Sequence, residues 1–153
     1  MAPTANATCQ AAELQVAADG PGTRQASLWM AEQAGRCEVP ADQVMRLDLC
    51  LNEVLANVVH HGTTGGADPL IRLLLQVQAD ADGGVASLTV SDGGPAFDMT
   101  HQASQSRPTT LAETEPGGLG LLMIRSFSDE LRYEYRDGRN HLSFAVRWAR
   151  TDG

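Results

Sequence analysis

Hydrophobic positions along the chain change spacing from element to element, and the changes mark where strands and helices lie. Glu13 to Ala17 is expected as a short first strand, ended by Asp19-Gly20-Pro21-Gly22. Thr23 is placed as the cap of a helix running towards Gly35 that carries Ala26, Leu28, Trp29, Met30 and Ala34. Pro40-Ala41-Asp42 opens a second helix, which continues to His60 or His61 and stops at Gly62. On it Val44, Leu47, Leu51, Leu55 and Val58 recur at steps of three or four, giving one apolar stripe for packing on a sheet. Thr63 to Pro69 reads as a loop. Leu70 to Gln78 and Val85 to Ser91 read as strands joined by a Gly83-Gly84 turn, with Leu88 and Val90 on one face.

From Asp98 to Pro116 the periodicity lapses into Thr, Ser, Gln and Pro, a loop of about 18 residues and long enough to act as a lid. Gly117-Gly118-Leu119-Gly120 then leads a helix through Phe127. Glu130 to Tyr135 and His141 to Trp148 flank Arg136-Asp137-Gly138-Arg139-Asn140, a hairpin with an Asp-Gly turn. The order strand, helix, helix, strand, strand, helix, strand, strand predicts an α/β fold of the α+β two-layer kind. A mixed, mostly antiparallel sheet is covered on one face by helices. Residues 1–12 are expected to be a flexible tail and residues 13–150 one domain.

Composition narrows the chemistry. Asp+Glu outnumber Lys+Arg 19 to 11, a net charge of −8, and all the basic residues are Arg. The absence of Lys excludes a Walker-A lysine and a Schiff-base lysine. The acidic balance without a basic stripe argues against nucleic acid as partner. No apolar run approaches a membrane span, and no basic residue precedes Arg24, so no membrane association and a cytoplasmic location are the expectations. Cys9, Cys37 and Cys50 are widely spaced, with no C-x-x-C pair, and read as reduced thiols.

Three constellations carry candidate chemistry. Glu53, Asn57 and His61 follow at steps of four on the helix side opposite the apolar stripe. Helix geometry alone is compatible with a solvated face. Yet Asn is a poor mid-helix residue, and the neighbours Val54, Ala56 and Val59 are not those of a face in bulk water. Asp92-Gly93-Gly94-Pro95-Ala96-Phe97-Asp98 follows a strand, where the acid can point across the sheet and Gly94 lets a flat ligand approach the backbone. Gly117-Gly118-Leu119-Gly120 stands at a helix N-terminus, which favours phosphate. The adjacent His60 and His61 point about 100° apart and do not suggest zinc, and no serine sits in a G-x-S-x-G elbow.

In order, Leu51-Asn52-Glu53-Val54-Leu55-Ala56-Asn57-Val58-Val59-His60-His61-Gly62, Asp92 to Asp98, and Gly117 to Leu121 resemble the asparagine box and the two glycine boxes of the GHKL ATPases. Ile124, Asp129, Tyr133, Gly138, Asn140 and Leu142 resemble the small bacterial branch related to anti-sigma-factor serine/threonine kinases. The resemblance covers residues 13 to 148 and implies a Bergerat fold that binds ATP with Mg²⁺. It makes Glu53 the catalytic base and Asn57 the Mg²⁺ ligand. Asp92 becomes the acceptor of the adenine amino group, and Gly94, Gly118 and Gly120 supply backbone room and amides. His61, Phe97, Gly117 and Leu119 also fall in the nucleotide site.

The resembling kinases can carry an arginine before the second glycine box, where this chain has Glu115-Pro116, so Arg107 and Arg125 are the candidate contacts to the terminal phosphate. The implied function is a partner-switching kinase that phosphorylates a STAS-domain antagonist and holds a sigma factor or another regulator, with homodimerisation a further expectation of the resemblance. A nucleotide-gated binding module without phosphoryl transfer, an excised histidine-kinase catalytic domain and an unrelated α/β domain are the alternatives.

Overall fold

The computed structural model describes residues 8–61, 69–100 and 118–149. Its elements are β1 (Thr8–Ala17), α1 (Gly20–Arg36), α2 (Ala41–His61), β2 (Leu70–Asp80), β3 (Gly83–Asp92), α3 (Gly118–Phe127), β4 (Glu130–Arg136) and β5 (Arg139–Ala149). The strands form one sheet in the order β1-β2-β3-β5-β4. All four pairings are antiparallel, so the two-layer sandwich stands and its sheet contains no parallel pair among the described residues.

Alternation along the strands builds the two faces. Ile71, Leu73, Leu75 and Val77 of β2, Ala86, Leu88 and Val90 of β3, and Leu142, Phe144 and Val146 of β5 are buried against Leu47, Leu51, Val54, Leu55 and Val58 of α2. Ala26, Met30 and Ala34 add the stripe from α1. The intervening strand residues, such as Arg72, Gln76, Thr89 and Ser143, lie on the other face and keep contact with solvent.

Several expectations shift. β1 begins at Thr8 rather than Glu13, because it pairs with β2 over its whole length, from Thr8 opposite Ala79 to Ala17 opposite Leu70. Residues 8–12 therefore belong to the sheet and not to a tail. Helix α1 is capped by Asp19, whose Oδ1 accepts from the Gly22 N–H at 2.7 Å, and the Thr23 hydroxyl donates to the Asp19 carbonyl instead of capping. Leu28 does not share the core stripe; it is 74% exposed, two positions from both Ala26 and Met30 and hence near the opposite side of the cylinder.

Gly83-Gly84 is not the β2–β3 turn. Ala81 and Asp82 make it, with Asp80 Oδ1 accepting from the Asp82 and Gly83 N–H groups. The two glycines open β3 because a Cβ on Gly83, at φ +150°, would lie 2.2 Å from the Trp148 carbonyl oxygen, and one on Gly84 would strike the Trp148 ring. The Asp137-Gly138 turn is as expected, both residues having positive φ, the pattern of a type I′ hairpin. The expected loop at 63–69 is described at Pro69 alone. The expected lid is described through Thr100, and its remainder lies outside the described residues. Among the described residues no helix is long and apolar enough to cross a membrane.

Candidate functional site

Helix α2 brings one polar side chain into an apolar setting. Asn57 is 5% exposed, and its Nδ2 donates to the Glu53 carbonyl at 3.0 Å, one turn back. Its Oδ1 is buried with no hydrogen-bond partner. An orphaned carbonyl oxygen costs free energy in the empty protein, so it marks a position where an incoming donor or cation would be welcomed.

Across from α2, Asp92 ends β3 and is 5% exposed. Its Oδ1 accepts from the Gly94 N–H at 2.9 Å and from Asn140 Nδ2 at 3.1 Å, while Oδ2 takes part in neither bond. Asn140 stands directly opposite Asp92 in the β3–β5 register, which is why the two side chains meet. Asn140 Nδ2 also reaches the carbonyl oxygens of Gly94, at 3.4 Å, and Pro95, at 2.8 Å. Its Oδ1 accepts from the Phe97 N–H at 2.9 Å and from the Tyr133 hydroxyl. The 92–97 turn is thereby sewn to β5 and β4.

Between these walls lies a narrow cleft of about 30 Å³, lined by apolar side chains of α2, β3, β5 and the 95–99 segment together with Asn57, Asp92, Phe97, Tyr133 and Asn140. Its chemistry, an apolar lining with a few convergent polar groups, is that of a small-molecule site.

Supporting groups surround the cleft. The buried Arg139 donates through Nε to Ser91 Oγ at 2.7 Å, and through Nη2 to the Ser91 and Leu70 carbonyls at 2.9 and 3.1 Å, fixing the end of β3 against β2. Burial raises the Tyr133 hydroxyl above its usual range, the Phe97 N–H acting in the other direction and Asp98 and Asp92 adding to the rise, so it stays a protonated donor to Asn140. Under α2, burial and then the charge of Glu53 push the Cys50 thiol up to about 11.

Of the predicted site residues, the structure brings Asn57, Asp92, Gly94 and Phe97 together. Glu53 stands one turn from Asn57, outside the lining of the cleft. His61 closes α2, and Gly118, Leu119 and Gly120 form the first turn of α3, which packs on α2. Arg107 and Gly117 lie outside the described residues. Arg125 is exposed, and its Nη2 donates to the Thr100 carbonyl at 2.8 Å, tying α3 to the start of the lid. Asn140 and Tyr133 were legible as matches to the family pattern but not as site residues, since only the strand register places them beside Asp92.

The sequence agrees with this geometry over nearly its whole length. Residues 16–146 match the histidine kinase-like ATPase domain. The chain belongs to that family. Within it, this histidine kinase-like ATPase domain is 34% identical over 131 residues to the serine/threonine-protein kinase BtrW of Bordetella bronchiseptica, covering 85% of this chain and 89% of that one. It is 27% identical over 93 residues to the anti-sigma F factor of Priestia megaterium, 61% of each chain. Among solved structures it superimposes on the RsbU and RsbW domains of a Mycobacterium tuberculosis protein with a TM-score of 0.61 at 15% identity. That match covers 93% of this chain and 33% of that one, and it bears out the fold. A histidine kinase-like ATPase domain uses ATP.

Proposed function

We propose that this chain is an ATP-dependent serine/threonine protein kinase of a partner-switching system. Its substrate is a small STAS-domain antagonist, and its alternate partner a sigma factor or an equivalent regulator. The observation that carries the reading is the buried, unpartnered Oδ1 of Asn57, a residue that lines the same cleft as Asp92 and lies one helical turn from Glu53. The relatives named as a serine/threonine kinase and as an anti-sigma factor support the reaction and the partners.

In this reading Asp92 Oδ2 accepts the adenine amino group, the Val54, Val58, Val90 and Leu142 side chains cover the base, and the amides at the start of α3, with Gly118 and Gly120, meet the phosphates. Asn57 Oδ1 is a hard oxygen suited to Mg²⁺, and the chain without Lys leaves few other groups for the phosphate charge. When bound, Mg²⁺ supplies charge neutralisation and orientation of the phosphates. Glu53 takes the proton of the attacking hydroxyl as the serine or threonine oxygen bonds to the terminal phosphorus and ADP leaves.

The second reading, a nucleotide-gated binding module, draws on Glu115-Pro116 before the glycine box and on Arg125 being bonded to Thr100. Incubation with ATP labelled in the terminal phosphate and a small STAS-domain protein separates the two. Label on a serine or threonine of that protein supports the kinase. Complex formation that depends on nucleotide, with no label transferred, supports the module.

A further inference from the structure

We infer that Asn140 is the positioning residue that makes Asp92 selective for the 6-amino group of the base, although it contributes no group to the nucleotide itself. The inference rests on the reading of Asp92 given above and concerns what gives Asp92 its selectivity.

The orientation of the Asn140 carboxamide follows from its partners. The Phe97 N–H can only donate, so Asn140 Oδ1 must face it, and the Tyr133 hydroxyl joins at the same oxygen. The amide nitrogen is thereby turned towards acceptors alone, namely Asp92 Oδ1 and the Gly94 and Pro95 carbonyls. With the Gly94 N–H also on it, Asp92 Oδ1 holds two donors and its geometry is set. Oδ2 is left to meet a ligand. The same carboxamide holds the Gly94 to Phe97 backbone, which lines the cleft through Pro95 and Phe97. An amide combines a two-donor end with an acceptor end at this spacing. Serine, threonine and aspartate do not.

A residue acting in this way changes discrimination, whereas a residue that merely holds the fold changes every affinity alike. The test compares binding of ATP with that of purine riboside triphosphate, which lacks the 6-amino group, by calorimetry on the full chain. The parent is expected to prefer ATP by roughly tenfold, the equivalent of one hydrogen bond to a charged acceptor. In Asn140→Ala the preference should fall towards equality, with ATP losing more affinity than the deaminated analogue. Tyr133→Phe removes one of the two donors that fix the carboxamide and should lower the preference part of the way, and it decides the matter if Asn140→Ala does not fold.

An unchanged tenfold preference in a folded variant overturns the positioning role and leaves the Asp92 assignment intact. A parent that binds the two nucleotides equally overturns that assignment itself, and the inference with it.

Discussion

Asn57 and Glu53 are joined within α2 by a bond from the Asn57 side chain to the Glu53 carbonyl, and this leaves the oxygen of this cleft-lining residue buried and unpaired. That carbonyl is already an acceptor in the helix ladder, so the extra bond adds little to the fold while orienting the carboxamide. A group held in a fixed orientation with an unmet acceptor is the arrangement expected of a residue retained for a ligand.

Replacing Asn57 by Ala should therefore separate stability from function. Without nucleotide, the variant gains helix propensity and loses an unsatisfied buried oxygen, so denaturant unfolding should show it unchanged or more stable by about 0.5–1 kcal/mol. Its affinity for ATP with Mg²⁺ should fall further than its affinity for ATP with a chelator present. A less stable variant, or equal losses in the two conditions, would contradict the metal role.

Arg139 supports the site from the far side of the sheet. Changing Arg139 to Met keeps much of the side-chain volume but removes the donor to the buried Ser91 Oγ and to the Ser91 and Leu70 carbonyls. The expected loss is about 1–3 kcal/mol for a buried group left unpaired. Lys should restore little of it, because one ammonium cannot reproduce the guanidinium fork. Urea melts of the two variants measure this, and full recovery by Lys would show that charge alone matters there.

The sequence makes much of this architecture readable and some of it not, for physical reasons. The α2 stripe, the Asp137-Gly138 hairpin and the three boxes depend on local spacing, so periodicity and turn chemistry suffice. The role of Asn140 depends on its standing opposite Asp92, 48 residues away, a pairing that no local pattern encodes. Thr8 to Ala12 lacks a hydrophobic alternation and becomes strand because β2 offers it a partner. Gly83 and Gly84 carry a turn signature, yet the reason for them is the Trp148 ring and carbonyl against their backbone, a contact made across strands.

The Cys50 thiol gives a pH signature of the packing between α2 and α3. It is buried, with Ile124 of α3 as its neighbour, and burial followed by the charge of Glu53 pushes it from the ordinary thiol value of 9.0 up to about 11. The folded state thus binds the proton more tightly, and its contribution is whole below pH 9.0 and lost as pH rises towards 11. Cys50→Ala should be less stable than the parent at pH 8, with the gap narrowing by pH 11 in thermal melts. A gap that stays constant over that range would mean the thiol is not buried as described.

Glu53 provides the most direct test of the account. Glu53→Gln keeps the shape of the side chain and removes the proton acceptor, and a general base contributes typically 10²–10⁴-fold to rate but little to ground-state binding. The deciding measurement is transfer of label from ATP to a STAS-domain protein by this variant, beside its calorimetric affinities for ATP and for that protein. The account predicts affinities close to those of the parent together with loss of transfer by at least about a hundredfold. Transfer at the parental rate would contradict the assignment of Glu53 as the base.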